Sequence, residues 1–142
     1  MWGSAYASTL NKLVSLQNRA VRLVTRSPFR SSCNPLYGNL KLLKLMDVVK
    51  FQTAQFMFKI KYHLLPLSCM QYVTVSDSQC LHDTRKKSYF VIEGCRTVVC
   101  EKSLTVFGPK LWNSLPRDIQ DAHSIGFLKR LMLEFLCNSY TS

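Results

Sequence analysis

The chain has 142 residues and a formal net charge of +11, from nineteen lysines and arginines against eight acidic residues. This length suits one small domain, and a hydrophobic content of 47% excludes disorder along the whole chain. No run of roughly eighteen apolar residues occurs, and the first residues show no basic-then-apolar pattern. The sequence therefore predicts neither a membrane span nor a secretory signal.

The positive charge is concentrated in the first half of the chain. Residues 1–63 hold ten basic residues and a single acid, Asp47, whereas residues 64–142 hold nine basic residues and seven acids. Such a basic half indicates a polyanionic partner, with nucleic acid favoured over an anionic membrane. The alternative is a charge excess that only promotes solubility. Six cysteines without a signal indicate free thiols in a reducing compartment, either cytosol or nucleus.

The spacing of apolar residues predicts an amphipathic helix over residues 6–25. Its apolar side comprises Leu10, Leu13, Val14, Ala20, Val21 and Val24. At about 100° per residue, four cations fall within roughly 80° of arc on the helix surface. These cations are Lys12, Arg19, Arg22 and Arg26. A basic stripe without acidic partners is a candidate phosphate-binding surface, and the alternative is the solvated face of a core helix.

Two further helices are predicted in the first half. Asn34 and Pro35 are expected to supply the N-cap and the first position of a short helix to about Lys41. Asp47 is expected to cap a helix over residues 48–64. Apolar residues lie on two opposite faces of this last helix, which predicts that it packs between two neighbours at the centre of the core.

The second half predicts less regular structure. Four β-branched or aromatic runs indicate two or three short strands, and these runs are 72–75, 89–92, 97–99 and 104–107. Pro109 is expected to open a one-turn helix that ends before Pro116, with Trp112 docked in the core. Ser124 is expected to cap a final helix over residues 125–137.

The predicted fold is therefore mainly α, a small helical domain with a minor β-hairpin or short strands in residues 72–108. Composition divides this single domain into three segments. A basic helical segment covers residues 1–66, loops and short strands cover 67–108, and a Trp-containing turn with the C-terminal helix covers 109–142.

Several blocks of the sequence resemble one protein family in the same order. The blocks are LQNRAVRLVT at residues 16–25, PLY at 35–37 with the segment 40–47, the segment 51–61, HDTR at 82–85, CRT at 95–97 and FGPKLWNSLP at 107–116. They are similar to the region that follows the polymerase palm in LINE-type (jockey-like) non-LTR retrotransposon reverse transcriptases. The resemblance covers roughly residues 10 to 137, nearly the whole chain.

The resemblance implies a noncatalytic helical thumb and post-thumb region that grips a template–primer duplex. The expected partner is RNA or an RNA–DNA or DNA duplex, bound through its phosphates. The residues expected to make these contacts are Lys12, Arg19, Arg22, Arg26, Arg30, Arg85, Lys86 and Lys87. An exposed basic loop is the alternative for the last three.

The family's polymerase needs paired aspartates for two Mg²⁺ ions. No two of the five aspartates here are adjacent, so neither polymerase activity nor a cofactor is expected. A nonfunctional transposon remnant and a protein-interaction fragment remain alternatives. In the second case, the helix over residues 48–64 would self-associate through a face that the palm covers in the parent protein.

One set of soft ligands falls within a short stretch of sequence, and it comprises Cys80, His82, Cys95 and Cys100. Four such ligands could hold a tetrahedral Zn²⁺. Their spacing is not that of a standard zinc knuckle or finger, and a Cys-x-His pair points to alternate faces of a strand. Free buried cysteines are therefore the favoured interpretation.

Overall fold

The computed structural model of the protein describes residues 7–75 and 90–140, and these residues are mainly helical. They contain eight helices, which are α1 (Ala7–Val24), α2 (Asn34–Leu40), α3 (Leu45–Lys61), α4 (Leu67–Met70), α5 (Val98–Glu101), α6 (Leu104–Ser114), α7 (Arg117–Gln120) and α8 (Ile125–Asn138). The prediction of a mainly α fold is confirmed. In the described part of the chain, no helix is both long and apolar enough to cross a membrane.

Extended backbone pairs at only one place within residues 7–75 and 90–140. Val75 and Phe90 form an isolated antiparallel bridge, and the Val91 N–H donates to the Thr74 carbonyl at 2.9 Å. The rest of the expected hairpin, residues 76–89, lies outside the described residues. The structure therefore shows one bridge here and no hairpin.

Two of the four runs that could supply the two or three expected strands form no strand, because residues 98–99 and 104–107 lie in helices α5 and α6. Thr97 is the N-cap of α5, and its hydroxyl accepts a hydrogen bond from the Cys100 N–H at 3.2 Å. Ser103 is the N-cap residue of α6. The Thr97 side chain therefore caps α5 and outweighs the β propensity of the valines that follow, whereas the Ser103 hydroxyl makes no cap bond and donates to the Cys100 carbonyl instead.

The helix around Trp112 is also longer than predicted. α6 starts at Leu104 and runs through Pro109, which lies inside the helix rather than at its start. Proline cannot donate the hydrogen bond of an interior helical position. Burial compensates for that loss, since Val106, Pro109 and Trp112 are all nearly inaccessible. The helix ends at Ser114, just before Pro116, as predicted.

The chain groups into two compact units. The first unit comprises Met1–Phe51 and Gly126–Ser142, and the second comprises Gln52–Ile125. In the first unit, α1 packs against α2, and Val21, Tyr37 and Tyr140 form a small core with Cys33, Leu36 and Leu40 against it. The Tyr37 hydroxyl donates to Asn18 Oδ1 of α1 at 3.0 Å.

Asp47 does not cap α3, because the helix begins two residues earlier, at Leu45. The first helical N–H is instead satisfied by a side chain from α1. Gln17 Oε1 accepts from the Leu45 N–H at 2.9 Å, and Gln17 Nε2 donates to the Leu43 carbonyl at 3.0 Å. A long-range amide thus serves as the cap at this helix start.

Asp47 lies in the first turn of α3, where a negative charge suits the helix dipole. Its Oδ2 accepts from the Tyr140 hydroxyl at 2.6 Å, and its Oδ1 accepts from Lys50 Nζ at 2.8 Å. The Tyr140 oxygen in turn accepts from the Lys44 N–H at 3.1 Å. Asp47 therefore holds the C-terminal tyrosine to the start of α3.

Three helices end in the same backbone motif, with a basic residue in the left-handed conformation. The residues are Arg26 after α1, Lys41 after α2 and His63 after α3, with φ between 51° and 53°. At each end, two N–H groups bond back to the last turn, as in a Schellman motif. Glycine usually occupies this position, so none of the three ends carries the sequence signal for it.

In the second unit, Trp112 is fully buried, which confirms its predicted place in the core. Its ring meets Phe90 edge-on, with centroids 6.1 Å apart. Asn113 fixes Phe90 by donating from Nδ2 to the Phe90 carbonyl at 2.8 Å and accepting from the Phe90 N–H at 3.3 Å. Gly108 leaves room for Met57, since a Cβ there would lie 2.7 Å from the Met57 sulfur.

Candidate functional site

A shallow groove of about 910 Å³ runs along α1 and the turn that follows it. Three arginines, an aromatic ring and several small polar side chains form its walls. The lining residues are Ser15, Asn18, Arg19, Arg22, Leu23, Arg26, Ser27 and Phe29. All of them belong to the first unit, and the helical ones follow one another at three- and four-residue spacing, which places them on one face of α1.

The groove contains three of the four cations of the predicted stripe. Arg19 and Arg26 are exposed, and Arg22 is half-buried. Lys12 is exposed on the same helix and does not line the groove, and Arg30 is exposed at the turn beyond it. The structure therefore brings Arg19, Arg22 and Arg26 together. Arg85, Lys86 and Lys87 lie outside the described residues.

Arg22 is fixed in place by its neighbours in the turn. Its Nε donates to the Ser31 carbonyl at 3.2 Å, and its guanidinium carbon lies 5.9 Å from the centre of the Phe29 ring. The hydrogen bond uses one of five N–H donors of the guanidinium, so the others remain able to bind an anion. Arg22 thus combines a defined position with spare donors.

Arg26 follows α1 in the left-handed conformation, with φ of 51°. The Arg26 N–H donates to the Leu23 carbonyl at 3.3 Å, and the Ser27 N–H donates to the Arg22 carbonyl at 3.0 Å. This arrangement keeps a positive charge beside the carboxyl end of the helix, where the dipole favours it. The left-handed backbone costs an arginine about 1 kcal/mol, a cost that a glycine would not have.

Among the described residues, no ion pair joins an acidic side chain to the groove arginines. The ion pairs within residues 7–75 and 90–140 include Lys50–Asp47, Lys61–Asp121 and Lys110–Glu101, and none of these involves Arg19, Arg22 or Arg26. The only acid of the first 63 residues, Asp47, is engaged by Lys50 and Tyr140. The groove consequently presents net positive charge to solvent.

The sequence prediction missed the polar and aromatic lining. Ser15 lies four residues before Arg19, and Asn18 lies four residues before Arg22, so the helical periodicity alone could have placed them on this face. The sequence allowed Phe29 to stack on a base, but a core role was favoured for it, and that preference is wrong because its side chain is 82% exposed. The local sequence signal is Pro28, which follows the end of α1 and fixes the backbone of the turn before Phe29.

The predicted zinc ligands are only partly described. Cys80 and His82 lie outside the described residues, whereas Cys95 and Cys100 are half-buried free thiols. Partial burial raises the pKa of the Cys95 thiol, and the adjacent Cys100 and Glu101 raise that pKa further. The described residues contain no group of three or more His, Cys, Asp or Glu side chains arranged to hold a metal ion.

Comparison with protein-family models, curated proteins and solved structures gives no match to this chain. The groove must therefore be interpreted from its own geometry and charge.

Proposed function

We propose that the chain binds nucleic acid through the α1 groove and that this role is noncatalytic. The observation that carries the proposal is the convergence of Arg19, Arg22 and Arg26 on one groove without a carboxylate partner among the described residues. Guanidinium groups bind phosphate oxygens through parallel hydrogen bonds, so three in a row suit a chain of phosphates.

The resemblance to the post-palm region of LINE-type reverse transcriptases supports the same interpretation. In that setting, the chain would hold the phosphates of RNA or of an RNA–DNA or DNA duplex beside a polymerase. Phosphate contacts of this kind give affinity with little base specificity. The proposed compartment is cytosolic or nuclear, where such partners occur.

The test is the salt dependence of RNA binding by the variant Arg19→Gln, Arg22→Gln, Arg26→Gln. Each phosphate contact contributes about 0.7 to 0.9 to the slope of log K against log salt. The triple variant should bind more weakly and lose about two units of slope or more. Fluorescence anisotropy with a labelled RNA, from about 50 to 200 mM salt, measures both quantities.

A matched control removes the same charge elsewhere. Arg96, Arg117 and Lys129 are exposed and do not line the groove. Their triple replacement by Gln leaves the net charge equal to that of the groove variant. If both triple variants weaken binding equally, general charge explains the affinity and the groove is not the site.

A second candidate function is self-association, for which we propose a surface other than the predicted one. The prediction placed the exposed apolar face on the helix over residues 48–64. In α3, however, Met57, Phe58 and Ile60 are buried. Four exposed apolar side chains lie along α1, and they are Leu13, Leu16, Leu23 and Val24. Such a stripe marks an interaction surface.

Light scattering over a range of protein concentrations tests this second candidate. The replacement of Leu13 and Leu16 by Gln should abolish any concentration-dependent rise in mass. Leu133→Gln is a matched control, since Leu133 is exposed on α8. A wild-type mass that stays monomeric at all concentrations rejects self-association and leaves the nucleic-acid proposal intact.

A further inference from the structure

The groove contains an aromatic ring that phosphate binding alone does not use. Phe29 is 82% exposed, the most exposed large apolar side chain in the described part of the chain. A single exposed phenylalanine is ordinary on a protein surface. Phe29 differs because it lines the same groove as three arginines that have no acidic partner in the structure.

The ring is presented by a short turn with a defined shape. The Ser31 N–H donates to the Pro28 carbonyl at 3.0 Å, and the Ser31 hydroxyl donates to the same oxygen at 2.7 Å. Pro28 fixes its own φ angle, so the turn loses little freedom on binding. The Arg22 guanidinium lies 5.9 Å from the ring centre, and most of the ring surface stays accessible.

An accessible ring beside a row of guanidiniums matches a single-stranded polynucleotide. A single strand offers phosphates along one edge and unstacked base faces along the other, whereas a duplex keeps its base faces inside the stack. Arg19 and Arg26 would contact phosphates while Phe29 packs against a base. Duplex binding could use the arginines but not the ring.

The remaining polar lining favours RNA over DNA. The Asn18 side-chain oxygen is already engaged by the Tyr37 hydroxyl at 3.0 Å, so its amide N–H donors are the groups left for a ligand. The Ser15 hydroxyl donates to the Asn11 carbonyl at 3.0 Å, and the Ser27 hydroxyl is hydrogen-bonded to that of Thr25 at 2.9 Å, so these two lining residues offer the ligand mainly acceptor oxygens. The 2′-hydroxyl of ribose both donates and accepts hydrogen bonds, and it is the group by which proteins distinguish RNA.

We propose that the α1 groove binds single-stranded RNA and that an unpaired base stacks on Phe29. This inference rests on the proposed phosphate-binding function and adds the strand type, the sugar and a stacking residue. The groove would thereby contact the phosphates, the ribose and one base of the RNA.

The experiment compares wild type with Phe29→Ala on three ligands of one sequence. The ligands are a single-stranded RNA of about twelve nucleotides, its blunt RNA duplex and the single-stranded DNA. Loss of one stacked base should weaken single-stranded RNA binding by about tenfold or more. Duplex affinity and the salt slope should stay unchanged, because the phosphate contacts remain. Wild type should bind the RNA strand more tightly than the DNA strand.

A spectroscopic signal separates stacking from a structural effect. An RNA containing 2-aminopurine should lose fluorescence on stacking with wild-type protein and not with Phe29→Ala. Phe29→Trp should retain the quenching, and Phe29→Leu, which keeps apolar area without a flat face, should lose it. Tyr72→Ala is the control, since Tyr72 is 62% exposed and does not line the groove.

The outcomes distinguish this inference from the function on which it rests. If Phe29→Ala binds all three ligands like wild type while the groove triple variant loses affinity, the stacking role is overturned and phosphate binding stands. Equal affinity of the wild-type protein for the RNA and DNA strands overturns the proposal that the groove recognises the ribose 2′-hydroxyl. If wild type binds none of the ligands, the proposed function itself fails.

Discussion

The polar side chains around Trp112 are hydrogen-bonded within the protein, whereas those of the α1 groove are largely directed to solvent. Around Trp112, the side chains of Asn113 and Gln120 satisfy backbone groups of Phe90, Trp112 and Leu115. In the groove, three guanidiniums face solvent with no acidic partner in the described residues. The polar side chains around Trp112 thus stabilise the fold, whereas the groove arginines retain hydrogen-bond donors that could bind an anion.

Because Trp112 is fully buried, its replacement should cause the largest loss of stability. Trp112→Ala should lower the free energy of unfolding by about 3–5 kcal/mol, as large core truncations do. Trp112→Phe should cost less, because the indole N–H has no hydrogen-bond partner in the structure. Urea unfolding measures both, with Phe29→Ala as the exposed aromatic control. A Trp112→Ala protein that unfolds like wild type would show that Trp112 does not stabilise the core.

A smaller effect is expected at the buried pair of Tyr140 and Asp47. Tyr140→Phe removes the hydroxyl that donates to Asp47 Oδ2, which should cost about 1–3 kcal/mol at neutral pH. Lys50 remains as a partner of the carboxylate. Urea unfolding at neutral pH measures this loss, and an unchanged stability would show that the bond contributes nothing net.

The same pair predicts a pH dependence. Burial, together with the hydrogen bond to Asp47, raises the pKa of Tyr140 in the folded state. The stability from this group is therefore complete below the ordinary tyrosine pKa of about 10 and is lost as the pH rises above it. Tyr140→Phe should flatten the alkaline decline of the free energy of unfolding. Burial also raises the pKa of Tyr37, so part of the decline should persist.

The smallest effect is expected at the left-handed helix ends. Arg26→Gly relieves the strain of a Cβ, offset by the greater freedom of glycine in the unfolded chain, so the free energy of unfolding should rise by about 1 kcal/mol or less. Lys41→Gly is the matched control, with the same φ of 51° outside the groove. Only Arg26→Gly should also weaken RNA binding. Equal binding losses in both variants would remove Arg26 from the site.

Periodicity predicted much of the first half of the chain, whereas both predicted caps are wrong, because Cys33 and not Asn34 is the N-cap of α2 and α3 begins before Asp47. Helix α1 was expected over residues 6–25 and extends from Ala7 to Val24, because its apolar and basic residues repeat at helical spacing. The arginines of the groove followed from the same spacing. The true cap of α3 could not be predicted, since the Gln17 amide reaches Leu45 only through tertiary packing.

The second half shows where local patterns fail. The valines of residues 97–99 and 104–107 favour strands by propensity, yet Thr97 and Ser103 start helices there. Burial of Val106 and Trp112 decides the outcome, and a short window of sequence does not contain that information. A core role was wrongly favoured for Phe29 for a related reason, because its exposure depends on which helix face its turn approaches.

The Gln17 amide couples ligand binding on α1 to the start of α3. Since Gln17 holds the Leu45 N–H and the Leu43 carbonyl, α1 cannot open away without exposing both groups. A polyanion that binds α1 in its closed position would stabilise that position by mass action. Protection of the Leu45 amide against hydrogen exchange should then increase with ligand concentration, although no ligand atom touches that residue. Hydrogen exchange at the start of α3 would thus indicate whether the α1 groove is occupied, because the Gln17 side chain connects the two helices.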